Sequence, residues 1–375
     1  MKRIYLDNAA STCPFNDVVE AMLPYLRAFG NPSAIHGPGR WLKVGLERAR
    51  VAIATHLNAQ ASEVFFCASG TEANNWALRN ILAQHNIQHV IALPLEHASV
   101  YEVLQQWRRT AGGTYQDIAV DWQGKILYDM LEAQLHTACK VPTLVVVMHA
   151  SNELGTLYDI ARVGDLCNTY GALFHSDMVQ TFGHVPICVK AARVHSASIS
   201  AHKFHGPRGI GCLYINAQAK PRAWLVGGAQ ERGMRAGTEA VACAVGMAKA
   251  CEMMYANKQH IQKIQQLKSH TMALLKNHNI AFNGPTDELN SLPTILNVRL
   301  PKDVPQDVVL MRLDMEGIAA SAGSACASGS LKPSRIMKSI QQTQSFIRFS
   351  FSPFNDTKDI DKACGVLVEA IKKCL

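Results

Sequence analysis

Val64-Phe65-Phe66-Cys67-Ala68-Ser69-Gly70-Thr71-Glu72-Ala73-Asn74-Asn75 opens on an apolar run, passes through small residues and continues into a polar helical stretch. A strand, a tight turn and a helix follow one another here. The small turn residues let an anion approach the backbone, and the helix start offers unpaired N–H groups. Gly70 and Thr71 are the candidate contacts; an ordinary Ser/Thr cap would account for the turn equally well. The same alternation runs outward along the chain. Val64–Phe66, His89–Leu93, Thr143–Met148, Leu173–His175, Ala197–Ile199 and Gly211–Ile215 read as strands. Arg40–Leu57, Thr71–Gln84, Ser99–Thr110 and Ile160–Tyr170 read as helices. This predicts an α/β fold with a mostly parallel sheet, whose sites lie at the carboxyl ends of the strands. Gly70, His97, Asn152, Asp177, His202 and Lys203 fall there.

From Val241 to Asn277 the pattern is continuously helical, and a turn follows at Gly284-Pro285. Strand-like runs then occur at Thr294–Leu300 and Phe346–Phe351. We expect a large domain over residues 14–255 and a smaller α/β domain built from 1–13 with 256–375. Ala319 to Ser330 holds only Ala, Ser, Gly and Cys. A stretch with so little side-chain bulk cannot pack a core, which predicts a mobile loop, about 319–332, carrying Cys326.

With 375 residues and 48% hydrophobic content, the chain can bury a large core. No run is long enough to cross a bilayer, and Met1–Asp7 carries no apolar signal segment, so a cytoplasmic protein with no membrane partner is expected. The 11 cysteines are odd in number and form no Cys-x-x-Cys, which argues against a zinc ribbon or a disulfide framework. No resident metal is expected. Met253 to Thr286 contains no acidic residue. That reads as a solvated basic helix face, or as a docking surface for an acidic partner. No aromatic residues interleave with its lysines as a nucleic-acid site would prefer.

Ser200-Ala201-His202-Lys203 ends a strand. A lysine so placed, partly desolvated, can form a Schiff base with an aldehyde cofactor; alone it reads equally as a surface lysine. Asp177 ends another strand, and a carboxylate there could keep the ring nitrogen of pyridoxal phosphate protonated. Gln180 could meet the ring hydroxyl. His97 could stack on a flat ring and move protons. Arg348, within the apolar run Ile347-Arg348-Phe349, calls for an anion: a substrate carboxylate or an internal acid.

In joint order, further motifs join these: Tyr5-Leu6-Asp7-Asn8-Ala9-Ala10-Ser11-Thr12, Gly30-Asn31-Pro32-Ser33-Ala34-Ile35-His36 and Ser151-Asn152-Glu153-Leu154-Gly155-Thr156. Gly206-Pro207-Arg208-Gly209-Ile210-Gly211, Gln230-Glu231-Arg232-Gly233-Met234-Arg235-Ala236-Gly237-Thr238 and Ser324-Ala325-Cys326 complete the series. Across nearly its whole length the sequence resembles the cysteine desulfurases of the class V aminotransferase family, in the subgroup with the longer catalytic-cysteine loop. The resemblance implies a fold type I pyridoxal phosphate enzyme that removes sulfur from L-cysteine, giving alanine and a persulfide on Cys326. It implies that Lys203 carries the cofactor, Asp177 faces its ring nitrogen, and His97 stacks on the ring and takes the thiol proton. Asn152 and Gln180 would meet the ring hydroxyl side, and Gly70, Thr71, Ser200 and His202 the phosphate. Thr238 would reach the cofactor phosphate of a second subunit in a homodimer. Arg348, with Asn152, would hold the substrate. The persulfide would pass to an iron–sulfur scaffold or a thiolation acceptor, with at most a transient iron–sulfur contact through Cys326. A selenocysteine lyase, another class V enzyme or a non-catalytic sulfur-pathway scaffold are the competing readings. Departures from the family pattern are Cys67-Ala68 for Thr-Ser, Ala229 and Ala236 for Gly and Ser, Arg208 for Lys, and a shortened segment between Cys326 and Arg348.

Overall fold

A computed structural model describes residues 3–323 and 335–375. The chain opens with β1 (Ile4–Tyr5), α1 (Asn16–Arg27) and α2 (Gly37–Leu57). Strand–helix alternation follows: β2 (Val64–Cys67), α3 (Gly70–Gln84), β3 (His89–Ala92), α4 (Ala98–Ala111), β4 (Thr114–Asp117) and α5 (Tyr128–Ala138). It continues with β5 (Thr143–Val146), α6 (Ile160–Tyr170), β6 (Leu173–Asp177), β7 (Ser196–Ser200) and β8 (Gly211–Ile215). Beyond lie α7 (Val241–Ala256), α8 (Lys258–Lys276), β9 (Phe282–Asn283), β10 (Ile295–Arg299) and α9 (Gln306–Met315). The described chain closes with β11 (Ile318–Ala319), α10 (Arg335–Ser339), β12 (Phe346–Ser350) and α11 (Thr357–Cys374).

Seven strands form the principal sheet in the order β2-β8-β7-β6-β5-β3-β4. From β4 to β7 every pairing is parallel, and β8 is antiparallel to both of its neighbours. Both faces are covered, which is why the strands read as unbroken apolar runs. On β2, Phe66 joins a core with Leu46 and Ile53 of α2, while Phe65 and Cys67 join another with Trp76 of α3 and Leu104 of α4. The alternation is the two-residue period of a strand. Each fully buried aromatic of this kind contributes about 2–3 kcal/mol.

A second, three-stranded antiparallel sheet has the order β12-β10-β9. Its side chains Val298 and Phe349 pack with Leu267 of α8 and Leu367 of α11. Ile4 and Leu6 join that core, and β1 pairs in parallel with β11.

Two expectations need correcting. Val241–Asn277 is two helices, because Asn257 leaves helical geometry (φ −105°, ψ 84°) and its side chain accepts the Gln259 N–H as the cap of α8. Nor is α8 simply a solvated basic face. Lys268 is buried and donates to Ser291 and to the Leu292 carbonyl, Lys263 donates to the Pro353 carbonyl, and His270 bonds Asp361. Among the described residues no helix is long and apolar enough to cross a membrane.

Candidate active site

One cavity of about 210 Å³ opens where β2, β3, β5, β6 and β7 end. Gly70, Thr71, His97, Asn152, Asp177, Gln180, Ser200, His202, Lys203 and Arg348 all line it. Thr238 does not; it lines a smaller cavity with Cys67, Glu231 and Arg235. Cys326 lies outside the described residues.

One part of the cavity wall is built by the start of α3. Ser69 caps it, its hydroxyl accepting the Glu72 N–H at 3.1 Å. Glu72 in turn accepts from Ala68 N–H at 2.6 Å and from Arg235 at 2.9 Å, which fixes the turn. A Cβ on Gly70 would stand 2.7 Å from Val179 Cγ2 and 3.3 Å from Ser200 Cβ, so glycine leaves the helix N–H groups approachable. His202 also lines the cavity, its Nδ1 3.2 Å from Ser11 Oγ. Burial and the charges of Lys203 and Arg208 push its pKa down to about 4.

Asp177, which ends β6, also lines the cavity. Its Oδ1 accepts the Val179 N–H at 2.9 Å and its Oδ2 accepts from Asn74 at 2.7 Å. Both oxygens therefore act as acceptors. His97 caps α4; its Nδ1 accepts the Ser99 N–H at 3.1 Å and lies 2.8 Å from Ser99 Oγ. Burial is the main cause of its lowered pKa, Lys203 and Arg335 add to the lowering, and Asp177 opposes it.

Lys203 follows β7 in a single 3-10 turn, and its Nζ donates to the carbonyls of Ala9 and Ala10 at 2.6 and 2.9 Å. Gln180 donates to the same Ala9 carbonyl at 3.1 Å. Of the two anion readings for Arg348, the structure shows the internal acid. Arg348 Nη2 pairs with Asp7 at 2.8 Å and its Nη1 donates to the Asn152 carbonyl at 2.8 Å. Its Nε, like Asn152 Oδ1, is buried with no hydrogen-bond partner among the described residues. The cavity also brings together an amine, a carboxylate and the start of a helix. This set fits a flat phosphate-bearing aldehyde together with an amino acid.

Sequence reasoning missed Ala9 and Ala10, which act through backbone carbonyls and leave no side-chain signal. It also passed over Asn74 and Ser99, uncharged residues inside or beside motifs read for other members. Among the described residues no cluster of three or more His, Cys, Asp or Glu could hold a metal.

A family model described as aminotransferase class-V matches residues 4–363. The chain is 38% identical over 384 aligned positions to a cysteine desulfurase of Nostoc sp., covering 100% of this chain and 94% of that one. It is 36% identical to the cysteine desulfurase IscS of Dictyoglomus turgidum, covering 100% of this chain and 96% of that one. A solved NifS-like protein superposes with a TM-score of 0.90 at 30% identity, covering 99% of this chain and 100% of that one.

Proposed function

The chain belongs to the class-V aminotransferase family, and from that premise we propose that it is a cysteine desulfurase acting with pyridoxal phosphate. The observation that carries the reading is the single cavity joining Lys203, Asp177, His97 and Arg348 to the start of α3. Pyridoxal phosphate, when bound, supplies an electron sink for bond changes at the substrate's α-carbon. Lys203 would hold its aldehyde, Asp177 its ring nitrogen, and His97 one ring face. Gly70, Thr71, Ser200 and His202 would hold its phosphate, with Asn152 and Gln180 at the ring hydroxyl.

The chain's own groups then have definite tasks. Arg348, held by Asp7, would take the carboxylate of L-cysteine. The Lys203 amine, displaced by the substrate's amine, removes the α-proton. His97 serves the thiol proton. The Cys326 thiolate attacks the substrate sulfur; the carbon–sulfur bond breaks with its pair left on carbon, which is protonated to give alanine. Cys326 keeps the sulfur as a persulfide for an iron–sulfur scaffold or a thiolation acceptor. A homodimer is part of the reading, as the family resemblance implies. Thr238 would serve the second copy's phosphate.

The test is alanine and sulfide release from L-cysteine with a thiol reductant, wild type against Cys326→Ala. Release by wild type and near-abolition in the variant is expected. Equal release would refute persulfide chemistry, and a protein that cannot be loaded with cofactor would refute the whole reading.

A further inference from the structure

The polar groups behind the cavity converge on one amide. Asn74 lies one turn beyond Gly70 on α3 and is 1% exposed. Its amide nitrogen donates to Asp177 Oδ2 at 2.7 Å and to Ser99 Oγ at 2.9 Å. Its amide oxygen accepts from Ser198 Oγ and faces His175 Nε2 at 3.1 Å. Reversing the amide would set its oxygen against the Asp177 carboxylate, so that contact fixes the orientation with the nitrogen toward Asp177. Burial pushes the His175 pKa down to about 3, so the ring is neutral at physiological pH. Its other ring nitrogen, Nδ1, lies 2.8 Å from Ser196 Oγ.

The same orientation reaches His97. Ser99 accepts from Asn74, which leaves its single hydroxyl proton for His97 Nδ1 at 2.8 Å. The Ser99 backbone N–H reaches that nitrogen as well, at 3.1 Å. His97 Nδ1 is thus an acceptor twice over, and the neutral ring carries its proton on Nε2.

We propose that Asn74 is a positioning residue of the reaction: one buried amide holds the Asp177 carboxylate and orients the Ser99–His97 pair. The proposal deepens, and rests on, the reading of the cavity as the pyridoxal phosphate site of a desulfurase. Four residues of helix rise about 6 Å. α3 therefore sets the phosphate end with Gly70 and the ring-nitrogen end with Asn74, from one rigid element.

Asn74→Asp in the holoenzyme keeps the size and replaces the donor by an oxygen. Two carboxyl groups then meet where the present contact is 2.7 Å, and one must take a proton. The pH titration of the bound cofactor's absorbance is expected to move by about one unit or more. kcat should fall about a hundredfold, with the KM for L-cysteine changed less than about threefold. Ser99→Ala should lower kcat and leave the absorbance titration in place, because it cuts only the His97 arm. A purely structural role would lower the melting temperature and leave that titration of the folded holoenzyme unmoved. If Asn74→Asp does not accumulate folded, Asn74→Ala removes the donor without adding charge and is read the same way. A folded variant that titrates and turns over as wild type overturns the proposal. A wild-type protein with no cofactor absorbance would instead bring down the cofactor reading.

Discussion

Arg50 and Glu231 form an ion pair with side chains only 1% and 3% exposed. Arg50 Nη1 and Nη2 reach the two carboxylate oxygens at 2.7 and 2.9 Å, and the Phe66 N–H adds a third donor at 2.8 Å. Arg50→Met removes two of these three donors and the directly paired charge. Each charge-assisted hydrogen bond is worth about 1.5–3 kcal/mol, and breaking a buried pair from one side costs about 3–5 kcal/mol; the two routes agree near 4 kcal/mol. Glu231→Gln keeps the shape, and Arg50 retains Glu47 at 3.2 Å, so this variant should lose about 2 kcal/mol. Arg50→Met with Glu231→Leu removes both charges and leaves chiefly the Phe66 N–H without a partner, a cost of about 1–3 kcal/mol. The double variant should therefore be more stable than Arg50→Met alone. The assay is urea unfolding at pH 7, followed by fluorescence and circular dichroism, with cofactor and protein concentrations held fixed. Additive losses, or an Arg50→Met loss below about 1 kcal/mol, would refute the reasoning.

Burial holds the Lys268 pKa down to about 8, against 10.5 ordinarily. The unfolded chain binds more protons between those values, so this lysine makes stability rise with pH from about 8 to 10.5, by about 3 kcal/mol. Lys268→Met should be more stable than wild type at pH 7 and lack that part of the rise; identical pH–stability curves would contradict the burial argument. A Cβ on Gly164 would lie 2.0 Å from the Ala192 carbonyl oxygen, a backbone atom that cannot swing away. Gly164→Ala should cost about 1–3 kcal/mol and lower the melting temperature; an unchanged melting temperature would show that α6 can shift freely. Arg348→Met should raise the KM for L-cysteine about 10–100-fold, the value of one or two charge-assisted bonds to a carboxylate. Unchanged KM would leave the Asp7 pair as the arginine's whole purpose.

The strand–turn–helix units were legible because strands covered on both faces keep continuous apolar runs, as Val64–Cys67 and Thr143–Val146 do. Lys203, Asp177 and His97 were legible because each stands at or just beyond the carboxyl end of a strand, where an α/β sheet gathers its chemistry. What escaped was set by partners remote in sequence. Nothing near Lys268 announces that Ser291 and Leu292 will accept its protons. Arg348 looks ready for a substrate until Asp7, 341 positions away, is placed beside it. Asn257 breaks the run from Val241 to Asn277 by capping with its own side chain, a local competition that apolar spacing does not register. Asn74 looked like one more polar residue of a motif; its weight comes from four neighbours on other elements.

Asn8 donates to the Ser350 carbonyl, the Ser350 hydroxyl donates to Leu6, and Asp7 pairs with Arg348, across separations of 341 to 344 residues. In the cell, the segment that offers its carbonyls to Lys203 is synthesised long before the strand that seats it. At about 5–20 residues per second it waits roughly 20–70 s for β12 to be made. The cavity wall at Ala9 and Ala10 is therefore among the last parts to settle during biosynthesis. A nascent chain halted before residue 346 should carry a folded principal sheet yet lack a finished pocket, which makes cofactor uptake a reporter of chain completion.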